Sequence, residues 1–174
     1  MAFQVVFVVE SDERSRSDII YIRSIMDHLY NFRIRSDVKI SEVFMAGKGN
    51  YNKNKIINSI RTKIKQYKTI GETYVIYCFD TDKYDSDPND KKVLKDEKEF
   101  CRDNGYEFVW FCHDVEEVFL GHSVPKGEKT DWARKYIASD WIKMVNIDNL
   151  KSDVMVKGRS NIMTVLGKIF RFVT

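Results

Sequence analysis

Proline is nearly absent from this chain: two residues in 174. With 43% hydrophobic and 32% charged residues, that scarcity excludes a disordered or proline-rich linker protein. Cysteine is also sparse. Cys78, Cys101 and Cys112 are an odd number in apolar contexts, with no CxxC and no Cys/His zinc spacing. They read as reduced core thiols, which favours a cytosolic protein over a disulfide-stapled one. No apolar run approaches the length needed to cross a bilayer, and the N-terminus lacks the basic-apolar-small pattern of a signal peptide. A membrane partner is therefore not expected. No Gly-Lys-Ser/Thr phosphate loop is present, so an ATPase partner would be a separate chain. His113 and His122 are nine apart with no HExxH frame, and His28 reads as a packed or half-exposed helix residue.

Acids are missing from residues 48–68, where Lys48, Lys53, Lys55, Arg61, Lys63, Lys65 and Lys68 stand. Residues 80–103 instead carry nine acids against six bases, so one surface attracts a polyanion while another repels it. A solvated lysine-rich helix face explains the first cluster equally well.

The length fits one domain, 1–174, with a core of 3–114 and a C-terminal helical extension of 115–174. Apolar runs at 3–10, 38–46, 73–80 and 106–112 read as strands. Helical patterns at 15–32, 53–68 and 90–104 alternate with them, so a mostly parallel four-stranded α/β sheet with helices on both faces is expected. Ser15 or Ser17 is the expected cap of the first helix, and Gly105 the stop of the third. Beyond Asp114 the pattern predicts short helices at 115–122 and 129–138, a short strand at 153–157, and a last helix at 160–172 capped by Ser160 or Asn161. This final third reads as an insert or a cap over the strand ends.

Three carboxylates stand out. Glu10 follows Val5-Val6-Phe7-Val8-Val9, and Asp80 and Asp82 end Tyr74-Val75-Ile76-Tyr77-Cys78-Phe79. Ligands of open α/β sheets bind at the carboxyl ends of strands. If strands one and three are neighbours, the three acids share one edge. In an extended strand residues i and i+2 point the same way, so the DxD pair converges. Two carboxylates about 5 Å apart repel by about 3 kcal/mol at an effective dielectric near 20, a cost that protons or cations relieve. Mg²⁺ or Mn²⁺ suits such oxygen-only ligands. Capping of the turn and the next helix by Asp80 and Asp82 is the bland alternative. Asp114 and Glu117 are candidate further metal contacts, and His113 with Asp114 a candidate general base. Lys48, Lys53, Lys157 and Arg159, with Lys126 and Lys129, are candidate phosphate contacts. Trp110, Trp132 and Trp141 are more simply core residues than base-stacking platforms.

A glutamate ending the first strand and a DxD ending the third resemble the TOPRIM domain, over residues 3–114. That family includes topoisomerases, bacterial primases, OLD-type nucleases and small RloB-like proteins of bacterial defence. The resemblance implies a compact Rossmann-like fold and Mg²⁺-dependent nuclease or nucleotidyl-transfer chemistry on DNA or RNA. It also implies a general acid/base role for Glu10 and a metal-holding role for Asp80 and Asp82. The segment from His113 to His122 is similar to the RloB-like branch, with Glu117 at its acidic position. Ser11 departs from the family, which usually has glycine after the glutamate. The competing readings are a non-catalytic TOPRIM-like module that binds nucleic acid or protein, and a phospho-receiver built on Glu10, Asp12, Asp80 and Lys157. A haloacid-dehalogenase-type phosphatase would want DxD after the first strand instead.

Overall fold

The computed structural model describes residues 2–30 and 37–171. Strand β1 (Phe3–Val9) is buried at every position, as a strand covered on both faces must be. It lies between β2 (Val38–Phe44) and β3 (Glu72–Asp80), parallel to both, and β4 (Glu107–Cys112) continues the parallel sheet beyond β3. A two-residue β5 (Arg159–Ser160) adds antiparallel to the end of β4, giving the order β2-β1-β3-β4-β5. The sheet therefore has five strands, one more than the sequence pattern indicates.

Helices cover both faces. Phe3, Val5, Phe7 and Val9 of β1 share a core with α1 (Ser17–Leu29), α4 (Val115–Leu120), α5 (Lys129–Ala138) and α6 (Ile162–Arg171). Val6 and Val8, pointing the other way, meet α2 (Asn54–Tyr67) and α3 (Pro88–Asn104). The C-terminal third is thus one wall of the main core, with Ile142, Leu150, Leu166 and Ile169 packed in it. The end of the expected 15–32 helix and residue 172 of the last one lie outside the described residues.

Local details differ in places from expectation. Arg16, in a left-handed conformation, precedes α1 without a side-chain cap, so neither Ser15 nor Ser17 caps it. Asp12 instead folds the approach, its Oδ1 accepting from the Arg14 and Ser15 amides. Helix α3 starts early because Asp87 caps it ahead of Pro88, and left-handed Gly105 ends it as expected. Ser160 Oγ accepts from the Ile162 amide at the start of α6.

The strand expected at 153–157 does not form. Val154 and Val156 are 59% and 45% exposed, so their alternation has no apolar surface to meet. The β4 edge is taken instead by β5 and by the Asn161 side chain, which accepts from Trp110 N–H at 3.0 Å and donates to Phe108 C=O at 3.0 Å.

Candidate functional site

The strand order reverses between β1 and β3. The chain leaves β1 for β2 on one side, then crosses back to β3 on the other. Ligands of open α/β sheets bind at such a point, outside the carboxyl ends of the strands. Glu10 and Asp80 occupy it. They are joined directly, because Glu10 Oε1 accepts from the Asp80 backbone N–H at 2.8 Å. They line a cleft of about 560 Å³ together with Asp18, Asp82, Lys126 and Lys129.

Asp18 enters from the first turn of α1. Its Oδ2 accepts from the Ser11 N–H at 2.8 Å, so Ser11 is tied down through its backbone. Burial pushes the Glu10 carboxyl up to about 8; Asp18 and Asp82 add repulsion, and Lys48 and the Asp80 N–H offset part of it. Burial, then Glu10 and Asp18, hold the Asp80 carboxyl well above the carboxylate range. Asp18 is raised by burial too.

Two lysines answer these acids. Lys129, in the first turn of α5, donates to Glu116 Oε2 at 2.8 Å. Burial disfavours its charge, but Asp80 and Glu116 outweigh that and raise its pKa. Lys48, after β2, turns inward rather than out toward a polyanion. It reaches the Asp80 carbonyl at 2.5 Å, Asp82 Oδ2 at 3.1 Å and Glu97 Oε2 at 3.9 Å. Glu97 is fully buried on α3, and burial pushes its carboxyl up to about 9 despite Lys48.

The DxD pair does not act as an extended-strand pair. Strand β3 ends at Asp80, and Asp82 has φ 49° in a turn held by its N–H on the His113 carbonyl. Asp82 therefore stands at the rim, 47% exposed, on the Lys48 ammonium. Asp80 Oδ1 accepts from the Val115 N–H at 3.0 Å, so this acid also anchors the start of α4.

Asp114 and Glu117 are drawn into helix-end bonding. Asp114 Oδ1 caps the Glu117 N–H at 2.8 Å, and Glu117 Oε2 accepts from the His113 N–H at 3.0 Å. His113 bridges Glu117 (Nδ1, 3.2 Å) and Asp85 (Nε2, 3.0 Å), and hydrogen bonding to Asp85 raises its pKa. These groups line a second cleft of about 730 Å³, which meets the first at Asp82. Lys157 pairs with Glu117 Oε1 at 3.3 Å, while the cation acting on the Asp80 carboxyl is Lys129; that is not the lysine placement of the receiver layout. Lys53 and Arg159 are exposed, before α2 and on β5.

Asp18, Glu97 and Glu116 escaped the sequence reading. Each has the same signal, an acid on or beside the apolar stripe of a helix: Asp18 before Ile19 and Ile22, Glu97 between Leu94 and Cys101, Glu116 between Val115 and Phe119.

Among the described residues, no three His, Cys, Asp or Glu side chains are placed to hold a metal ion as a ready-made cage. Mg²⁺ does not require one; one or two carboxylates plus substrate phosphates and several waters commonly hold it. Glu10 and Asp80 are the candidates for that smaller role. They are oxygen donors at adjoining strand ends, and a cation would relieve the burial and repulsion that raise both.

Protein-family models, characterised proteins and solved structures all lack a match to this chain. Among the described residues no helix is long and apolar enough to cross a membrane.

Proposed function

We propose that the Glu10–Asp80 cleft performs divalent-cation-assisted phosphodiester chemistry on nucleic acid, as a TOPRIM-type nuclease of the RloB-like, defence-associated kind. The observation that carries this reading is the direct Glu10–Asp80 contact at the point where the strand order reverses. Glu10 and Asp80 would hold Mg²⁺ or Mn²⁺, with Asp82 at the rim. Bound there, the cation polarises a phosphoryl oxygen and lowers the pKa of a coordinated water.

The remaining work falls to the chain's own groups. Glu10, the other strand-end carboxylate of the cleft, would take or return the proton of the reaction. Lys129 is held by Glu116 against the Asp80 side of the cleft and offsets the charge of an arriving phosphate. Lys126, exposed on the same wall, is free to follow the substrate.

The test is incubation of the protein with supercoiled DNA and with RNA in Mg²⁺, Mn²⁺ or EDTA. Cleavage is expected with either metal, absent in EDTA, and reduced at least about 100-fold in Glu10→Gln and Asp80→Asn, the scale of losing an acid/base group. Cleavage that survives both substitutions places the chemistry elsewhere.

One observation favours a second reading, a non-catalytic module that binds nucleic acid or a protein partner. The Lys48 ammonium already sits on the Asp80 carbonyl and Asp82, supplying positive charge that a cation would otherwise bring. Binding without turnover in all metals is its signature.

A further inference from the structure

From Val43 through Gly71 the chain contains no Asp or Glu. Lys48 is accounted for by the cleft. The other bases of that span cluster on α2 and at its two ends. Helix α2 buries Ile56, Ile60 and Tyr67 against the sheet. Its opposite face exposes Lys55, Arg61, Lys65 and Lys68, with Asn58 and Thr62 between them.

These cations differ from Arg16, Arg23, Lys95 and Arg102. Arg16 and Arg23 both pair with Glu42, Lys95 pairs with Glu99, and Arg102 with Asp103. None of the four α2 cations has an ion-pair partner among the described residues. Arg61 and Lys65, and Lys65 and Lys68, are four and three apart, so they repel along the helix. Like charges at such spacing cost about 0.2–0.5 kcal/mol per pair. A polyanion laid on this face relieves that repulsion and releases its own counterions.

The helix is also placed to serve the cleft. It runs antiparallel to the strands and starts at their carboxyl edge. Gly47, which lines the carboxylate cleft and donates its N–H to the Glu10 carbonyl at 3.0 Å, lies only a short turn before it. Lys39 of β2, over the Tyr67 ring at 5.7 Å, extends the positive surface at the far end.

The chemistry of the face selects the occupant. Between Lys55 and Lys68 the exposed residues are cations, amides and a hydroxyl, with no large apolar side chain. A protein interface wants a buried aromatic or aliphatic anchor. A membrane-surface helix needs its apolar face free, and that of α2 is inside the core. A phosphodiester backbone needs neither.

We propose that the exposed face of α2 is a phosphate-backbone track that seats a nucleic-acid strand and leads it to the Glu10–Asp80 cleft. The destination rests on the phosphodiester reading above; the binding does not.

Binding is measured by fluorescence anisotropy in EDTA, with labelled single-stranded DNA, single-stranded RNA and duplex DNA, across a KCl series. The α2 variant combines Lys55→Gln, Arg61→Gln, Lys65→Gln and Lys68→Gln. A control of equal charge combines Lys91→Gln, Lys92→Gln, Lys95→Gln and Lys98→Gln on α3. All eight positions are exposed, and circular dichroism checks that both variants fold.

The α2 variant is expected to bind at least about 10-fold more weakly, with a salt slope shallower by about 3, at about 0.7–0.9 per lost phosphate contact. The α3 control is expected to bind within about threefold of wild type, since its charge change lies outside the phosphate contacts that set affinity and slope. Equal weakening in both variants, unchanged binding in the α2 variant, or binding to phosphatidylserine vesicles but to no oligonucleotide overturns the proposal. A wild-type protein that binds through α2 yet cleaves nothing leaves this proposal standing and removes the nuclease reading. A protein that cleaves, and whose α2 variant binds and cleaves equally well, does the reverse.

Discussion

Glu10 titrates where a proton-transfer group is useful, and the same titration weakens the fold. Its folded pKa of about 8 lies above its ordinary 4.5. Between those values the native state binds more protons than the unfolded chain, so stability falls as pH rises. Asp80 and Glu97, raised for the same reason, act in the same direction. In EDTA, the melting temperature is expected to drop from pH 5 to pH 8, and Glu10→Gln to flatten that drop. Adding Mn²⁺ at pH 8 should recover part of it in wild type and none in Asp80→Asn; a melt insensitive to pH and metal contradicts this electrostatic picture. Gly71 offers an independent check. A methyl group there would sit 1.9 Å from the Ala2 carbonyl oxygen. Gly71→Ala is expected to destabilise by about 1–3 kcal/mol in urea unfolding, as overpacking does. At this scale the sequence exposes acids that end apolar runs, Glu10 and Asp80. It conceals Asp18, Glu97 and Glu116, because an acid inside a helical pattern looks like the solvated face until the helix is docked.

Among the elements, β5 and Asn161 show how little is needed to close a sheet edge. The Asn161 side-chain amide satisfies the outer groups of β4 at Phe108 and Trp110, and the Gly158 N–H, just before β5, donates to the Cys112 carbonyl. Asn161→Ala leaves the Trp110 N–H and Phe108 carbonyl without those partners. A loss of about 1–3 kcal/mol is expected, with faster hydrogen exchange at Trp110; unchanged exchange would show that the edge is satisfied otherwise. The four parallel strands and the helices between them were legible, because each combines an apolar run with clear punctuation. The 153–157 segment was misread for an instructive reason. Its Val154-Met155-Val156 pattern suits a strand, but pairing depends on an edge that Asn161 and Arg159–Ser160 already hold. The DxD geometry failed similarly: i and i+2 share a face only while the strand lasts, and β3 stops at Asp80.

For the whole molecule, what matters is that β1 and β3 are neighbours. The sequence supplies the strands but not their order, and only the order brings Glu10 to Asp80. The C-terminal third then closes one wall of the same cleft through Lys126 and Lys129 while its helices fill the core behind it. Two clefts share Asp82: the one at the strand reversal, lined by Glu10 and Asp80, and the one beside it, lined by Asp85, His113 and Glu117. Anomalous diffraction from crystals soaked in millimolar Mn²⁺ decides between them. A peak is expected about 2.0–2.3 Å from carboxylate oxygens of Asp80 or Glu10, as hard divalent cations bind. A peak only at His113, or none in a lattice that leaves the first cleft open, contradicts that expectation.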